Sequence, residues 1–285
     1  TKLISMSMNK SVTSYILGHA ICDGYIDSVD SKLDDWPILE TSLYENQKLL
    51  DLLNMAAGDQ KYIFEFGEGG QIVVDDSYDY ETKNIFTTLG FYLQNTEKSE
   101  SRYNYNGFIT QLLINYVRFK TGDDFKKLLN KIFQNKIKNE HTVHFYELRD
   151  PSEELGISHP MVRTTRYDWL RLAKAIMDDY QNDTCVGKYL KKIYEKRIPK
   201  NLLGLPTKGG KKYTEPEFNR TKSYGGQFHF DYPGLEDKVI FGLGGRGGQA
   251  ILIDVENSRI VAINSMHYND SRNKYNVKKL LIDPI

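Results

Sequence analysis

Ser7 and Lys10, near the start of the chain, have the types and spacing to do chemistry together. Both fall in an apolar run that repeats every three or four residues, at Met8, Val12, Tyr15, Ile16 and Ala20. The repeat predicts a helix over residues 7–23, with Gly24 as its stop. Three apart on a helix, a serine and a lysine share a face. A serine hydroxyl becomes a nucleophile when a base takes its proton. A lysine can be that base where burial or neighbouring positive charge favours its neutral form. The helix start adds free N–H groups and a positive dipole end, which stabilise negative charge near the serine oxygen. A serine at this point also suits a helix N-cap. The same S-x-x-K spacing recurs at Ser271 and Lys274, in a polar stretch with no apolar face. The residues further along separate the two occurrences.

The elements that must position this pair are mostly helical at first. Tyr25 and Trp36 bound a loop rich in Asp and Ser, closed by Pro37. Residues 45–58 predict a short amphipathic helix ended by Gly58, and residues 108–119 a strong one ended by Lys120-Thr121-Gly122. Asp123 or Asp124 caps a further helix to Phe133. Residues 141–148 alternate like a strand, and residues 165–180 and 183–196 predict two more helices. After Pro199 a Gly/Lys/Pro-rich loop runs to about Tyr213. Strands are then expected at residues 223–232, 239–243 and 249–255. A fourth, at 259–265, pairs with the third across Glu256-Asn257-Ser258, and residues 276–281 predict a final helix. The plan is α+β, with an antiparallel sheet flanked by helices. It has a helical subdomain over about 25–200 and a sheet subdomain over about 213–285 that takes in the 7–23 helix.

In 285 residues, Lys plus Arg and Asp plus Glu number 38 each. This balance gives no basic footprint for nucleic acid or an anionic membrane, and no apolar run is long enough to span a bilayer. The two cysteines, Cys22 and Cys185, have no metal-ligand spacing and read as buried free thiols, which leaves a cytoplasmic or a periplasmic home equally open. Gly67 to Gly70 lacks the order of a phosphate loop. His19, His144, His229 and His267 have no readable pairing and read as core or surface histidines. No cluster has zinc spacing, so no metal or other cofactor is expected.

Five pieces, in order, carry a resemblance. They are Ser5-Met6-Ser7-Met8-Asn9-Lys10 with its helix, Leu52-Leu53-Asn54-Met55-Ala56-Ala57-Gly58, Tyr105-Asn106-Gly107 with Thr110-Gln111-Leu112-Leu113, Thr164-Thr165-Arg166-Tyr167-Asp168, and Gly245-Arg246-Gly247-Gly248-Gln249. Together they resemble the serine β-lactamase and penicillin-binding-protein superfamily, closest to its class C-like esterase and 6-aminohexanoate-oligomer hydrolase branch. The resemblance implies a β-lactamase/transpeptidase-like fold and a serine hydrolase that works through an acyl-enzyme on a small ester or linear amide. Ser7 would be the nucleophile. Lys10 would be the base, alone or with Tyr105, and Tyr105 would pass the proton to the leaving group. The backbone N–H groups of Ser7 and Arg246 would form the oxyanion hole, and Asn106, Gly107, Gly245 and Gly247 would line the substrate pocket. Tyr105 stands seven residues before Leu112, as in the family loop. Tyr103 does not, and reads as a packed or surface aromatic.

The chain departs from the family pattern at two points. The asparagine two after the tyrosine is Gly107, and the K-T-G-type strand motif falls on Leu243-Gly244-Gly245. The side chain that would hold a β-lactam carboxylate is absent at 243, which argues against the rival reading as a β-lactamase or D-alanyl peptidase. The glycine at 107 favours another rival, a non-catalytic binding protein. Only six residues precede Ser7, too few to supply the strands that precede this serine in the family. The sequence is therefore expected to be a piece of a longer polypeptide.

Overall fold

The computed structural model describes residues 2–64, 71–72, 85–148, 157–203, 221–246 and 248–263. The expected helix at 276–281, the second S-x-x-K, His267, the Gly67–Gly70 stretch and Gly247 lie outside them.

The chain begins with β1 (Lys2–Ile4), a 3-10 turn (Met6–Met8) and helix α1 (Asn9–Cys22). The short segment before Ser7 forms a strand, but it pairs with β5 and adds none to the sheet that holds the C-terminal hairpin. Three residues suffice because the pairing is prolonged: Ser5 N–H donates to Val162 O at 2.7 Å, and Val162 N–H to Ser5 Oγ at 3.0 Å. Helix α2 (Leu49–Leu53) is much shorter than the predicted 45–58. The residues before it are held in turns by Gln47, whose buried amide donates to the carbonyls of Leu43 and Ala57 at 2.5 and 2.8 Å. Strands β2 (Ile63–Phe64) and β3 (Gln71–Ile72) pair with each other, and α3 (Ile85–Thr87) runs into a π-helical turn. Helix α4 (Gly107–Thr121) ends at Gly122 with φ of 51°, so Lys120-Thr121-Gly122 is a helix stop. Helix α5 (Phe125–Asn130) leads, through another π turn, to β4 (His144–Leu148) and β5 (Ile157–Thr165). Strands β1, β5 and β4 make a three-stranded antiparallel sheet in that order.

Helices α6 (Arg166–Gln181) and α7 (Cys185–Glu195) start on Thr165 and Thr184, whose hydroxyls accept from backbone N–H groups three residues on. The second sheet has six antiparallel strands: β6 (Ile198–Pro199), β7 (Ser223–Gly225), β8 (Phe228–Phe230), β9 (Ile240–Gly245), β10 (Gln249–Asp254) and β11 (Arg259–Ile263). Their spatial order follows the sequence, from β11 at one edge to β6 at the other. The expected single strand 223–232 is two strands, folded at Gly226 and Gln227 with φ of 54° and 65°. Positive φ at both central residues is the two-residue hairpin turn that a twisted sheet favours, and glycine enters it without strain. One sheet face, with Phe228, Phe230, Phe241, Leu243, Ile251 and Ile253, joins the main core with the helices. A smaller cluster of Leu235, Ile240 and Leu252 covers the other.

Cys22 and Cys185 are not free thiols. They form a disulfide between the end of α1 and the start of α7, with their Cα atoms 5.8 Å apart. The two helices approach closely because residue 18 is glycine: a Cβ there would lie 2.6 Å from the Tyr189 ring. At Gly187 a Cβ would run into the carbonyl oxygen of Asp179. Gly187→Ala should therefore destabilise the protein by about 2 kcal/mol, within the usual range for overpacking. Gly90→Ala, with no atom within 4 Å of the new methyl, should stay within about 0.5 kcal/mol. Urea unfolding of the three proteins checks this, and equal midpoints would refute it.

Candidate active site

Ser7 sits in the middle of the 3-10 turn that feeds α1, partly exposed, after Met6 in the left-handed region at φ 46°. The turn rests on the end of β9. A Cβ at Gly245 would lie 2.9 Å from Ser5 O and 3.3 Å from Met8 Cγ, so only glycine lets the strand come this close. Arg246 follows, exposed, at the start of the β9–β10 turn.

Lys10 stands in the first turn of α1 with 7% exposure. Its Nζ lies 4.7 Å from the centroid of the Tyr105 ring. Ser7, Lys10, Tyr105 and the Gly245–Arg246 strand end are thus drawn from three distant stretches of sequence into one region. Tyr105 is partly exposed, whereas Tyr103 is buried against Tyr224 with ring centroids 5.2 Å apart.

The tyrosine loop is held from beneath by Asp59, a fully buried carboxyl that sequence reading missed. Asn104 Nδ2 donates to it at 2.6 Å, Asn106 Nδ2 at 3.0 Å and Tyr44 OH at 2.9 Å. Asn106 is accordingly not a pocket residue. It is wholly buried, and its Oδ1 caps α4 by accepting from Ile109 N–H at 2.9 Å. Gly107 is the first residue of α4 and partly exposed.

Two further residues adjoin the site: Lys200, which the sequence reading passed over, and His229, which it read as a core or surface histidine. Lys200, 8% exposed just after β6, donates from Nζ to Nδ1 of His229 at 3.1 Å and to Thr221 Oγ1. The His229 ring stacks on Tyr105 at 6.2 Å and meets Tyr224 edge-on at 5.0 Å. Burial, then the ammonium groups of Lys200 and Lys10, hold its pKa well below the usual 6.5, so the ring is neutral at pH 7. The available signal was alternation: Phe228 and Phe230 point into the core, which turns residue 229 to the other side. Leu243 packs in the core, 1% exposed. Among the described residues, no group of three or more His, Cys, Asp and Glu could hold a metal, and no helix is long and apolar enough to cross a membrane.

Solved structures align with nearly the whole chain. A Bacillus anthracis protein described as a 6-aminohexanoate-dimer hydrolase superposes with a TM-score of 0.65 at 16% identity, over 99% of this chain and 71% of its own. A class C β-lactamase from Rhodobacter sphaeroides gives 0.58 at 14%, over 99% and 86%. Unliganded simvastatin synthase from Aspergillus terreus gives 0.56 at 12%, over 92% and 77%. The fold is that of the β-lactamases and penicillin-binding proteins. No protein-family model matches the sequence, and no curated protein matches it. On this fold the Lys10 amine, from the first of the five sequence pieces, meets the Tyr105 ring, from the third.

Burial pushes the Asp59 carboxyl from an ordinary 3.8 up to about 6, against the pull of its three donors. A carboxyl raised in the fold contributes stability below its unfolded pKa and loses it as pH rises through the folded value. Between about pH 4 and pH 6 this loss amounts to roughly 3 kcal/mol, at about 1.36 kcal/mol per unit. From pH 4 to pH 7, urea unfolding should show wild type losing roughly 3 kcal/mol more than Asp59→Asn. Parallel curves for the two proteins would mean that Asp59 ionises normally.

Proposed function

We propose that this chain is a serine hydrolase that acts through an acyl-enzyme on a small ester or linear amide. The observation that carries the reading is Lys10 Nζ, buried and 4.7 Å from the Tyr105 ring, one turn after a partly exposed Ser7. Ser7 Oγ attacks the substrate carbonyl and gives its proton to Lys10, or to Tyr105 with Lys10 beside it. The tetrahedral oxyanion takes hydrogen bonds from the N–H groups of Ser7 and Arg246. Its collapse breaks the bond to the leaving group, which receives a proton through Tyr105. Water then attacks the acyl-serine and gives its proton to the same base; the bond to Ser7 Oγ breaks, the carboxylic acid leaves, and the base returns the proton to Oγ. Each oxyanion donor contributes about 3–4 kcal/mol of transition-state stabilisation in comparable hydrolases. Gly245 supports this assignment, because its missing side chain lets the strand carrying Arg246 lie against the Ser7 turn. The similar folds include proteins named as a hydrolase, a lactamase and a synthase, in keeping with acyl-transfer chemistry.

A fluorophosphonate probe followed by peptide mapping tests the reading. Wild type should gain one adduct, on Ser7, and Ser7→Ala none. Tyr105→Phe and Lys10→Ala should each lower kcat on an aryl ester by roughly 10²-fold or more, with smaller effects on KM. A folded wild type that takes up no probe would instead favour a non-catalytic binding protein on this fold.

A further inference from the structure

His229 and Lys200 belong to none of the motifs behind the proposed chemistry, yet they adjoin it. Lys200 Nζ is 3.1 Å from His229 Nδ1. An ammonium only donates, so Nδ1 accepts and the ring proton resides on Nε2. That edge faces β9, since a Cβ on Gly244 would lie 3.7 Å from Nε2. His229 and Gly244 are both partly exposed. Strands β8 and β9 share one register pair, His229 with Gly242, so no ladder joins them between there and Gly245. At this opening a neutral ring presents an N–H. One ammonium, Lys200, backs it. Fixed donors under positive potential suit an anionic oxygen.

We propose that His229 and Lys200 form a subsite for a carboxylate carried by the substrate. His229 donates from Nε2, and Lys200 fixes the tautomer and supplies positive charge. The substrate class is then an ester or amide that bears a carboxylate. This rests on the serine-hydrolase reading and supplies from β8 and the end of β6 the positive group that Leu243 does not.

The test uses the Ser7→Ala protein, which binds without turnover, and two matched probes: mono-(4-nitrophenyl) glutarate and its methyl ester. By calorimetry the carboxylate should bind at least roughly tenfold more tightly than the methyl ester, the scale of one charge-assisted hydrogen bond. Adding Lys200→Met or His229→Phe should bring the ratio close to one, and Lys200→Arg should keep part of it. Free glutarate should compete with the anionic probe, a measurement that needs no change at Lys200. Equal binding of the two probes, failure of glutarate to compete, or a ratio preserved in folded Lys200→Met would overturn the subsite. If the ratio holds while the protein with Ser7 intact turns over neither ester, the subsite stands and the acyl-enzyme reading falls.

Discussion

Burial of α1 on every side is the constraint from which much of the structure follows. Residues 9–20 are all buried, although many carry polar side chains. A buried polar group must find a partner, and on a helix enclosed all round the partner must come from another element. Ser11 Oγ donates to Gln227 O in the β7–β8 turn at 2.8 Å. Ser14 meets the hydroxyl of Tyr189 on α7 at 2.7 Å, and Tyr15 donates to Asp179 on α6 at 2.6 Å. Asp179 also takes Lys136 at 2.6 Å and Thr184 at 2.8 Å. Lys10 is the member of this series whose ring neighbour, Tyr105, remains partly open to solvent. The scheme that locks the helix therefore also aims its one lysine at the site.

The same constraint explains what the sequence could and could not reveal. The three-and-four repeat of α1 was readable, and so was the helix. The repeat suggested one buried face, whereas the polar residues between are buried as well, each by a partner far along the chain. Ser7 with Lys10, Tyr105 and Gly245 were legible because short contiguous patterns carry them. Asp59, Lys200 and His229 were not, because each acquires meaning only from its partners. Asp59 is 45 and 47 residues from Asn104 and Asn106, and Lys200 is 29 from His229. The disulfide, across a separation of 163, was hidden for the same reason. The 223–232 strand was misread because the aromatic residues on either side, Tyr224 and Phe228, were joined into one run across Gly225-Gly226-Gln227, although a glycine pair between such residues is a hairpin signal.

Extended backbone sorts the tyrosine loop into two sides. Successive side chains point opposite ways, and Asn106 has φ of −151° and ψ of 159°. Asn104 and Asn106 therefore share one side, on the Asp59 carboxyl, and Tyr103 and Tyr105 the other, towards the lysines. Negative charge is kept beneath the loop, wrapped in three donors, while positive charge gathers above it. A carboxylate exposed beside Lys10 would instead favour its charged form, which the base role proposed for it does not want.

This layout also bears on which tyrosine can touch a substrate. Each has a lysine over its ring, Lys10 at 4.7 Å from Tyr105 and Lys200 at 5.8 Å from Tyr103, and the two rings lie 6.4 Å apart. Cation and distance alone do not separate them, but access does. Tyr103 is 6% exposed, its own lysine 8% exposed, and its ring is packed on Tyr224. Tyr105 is partly exposed and stacks on a ring, His229, that is itself partly exposed. A group that transfers a proton to a reacting atom must reach within hydrogen-bond distance of it. Burial thus keeps Tyr103 in the packing of the loop and leaves Tyr105, of the two, as the hydroxyl-bearing ring open to solvent, which is why the proposed mechanism uses it.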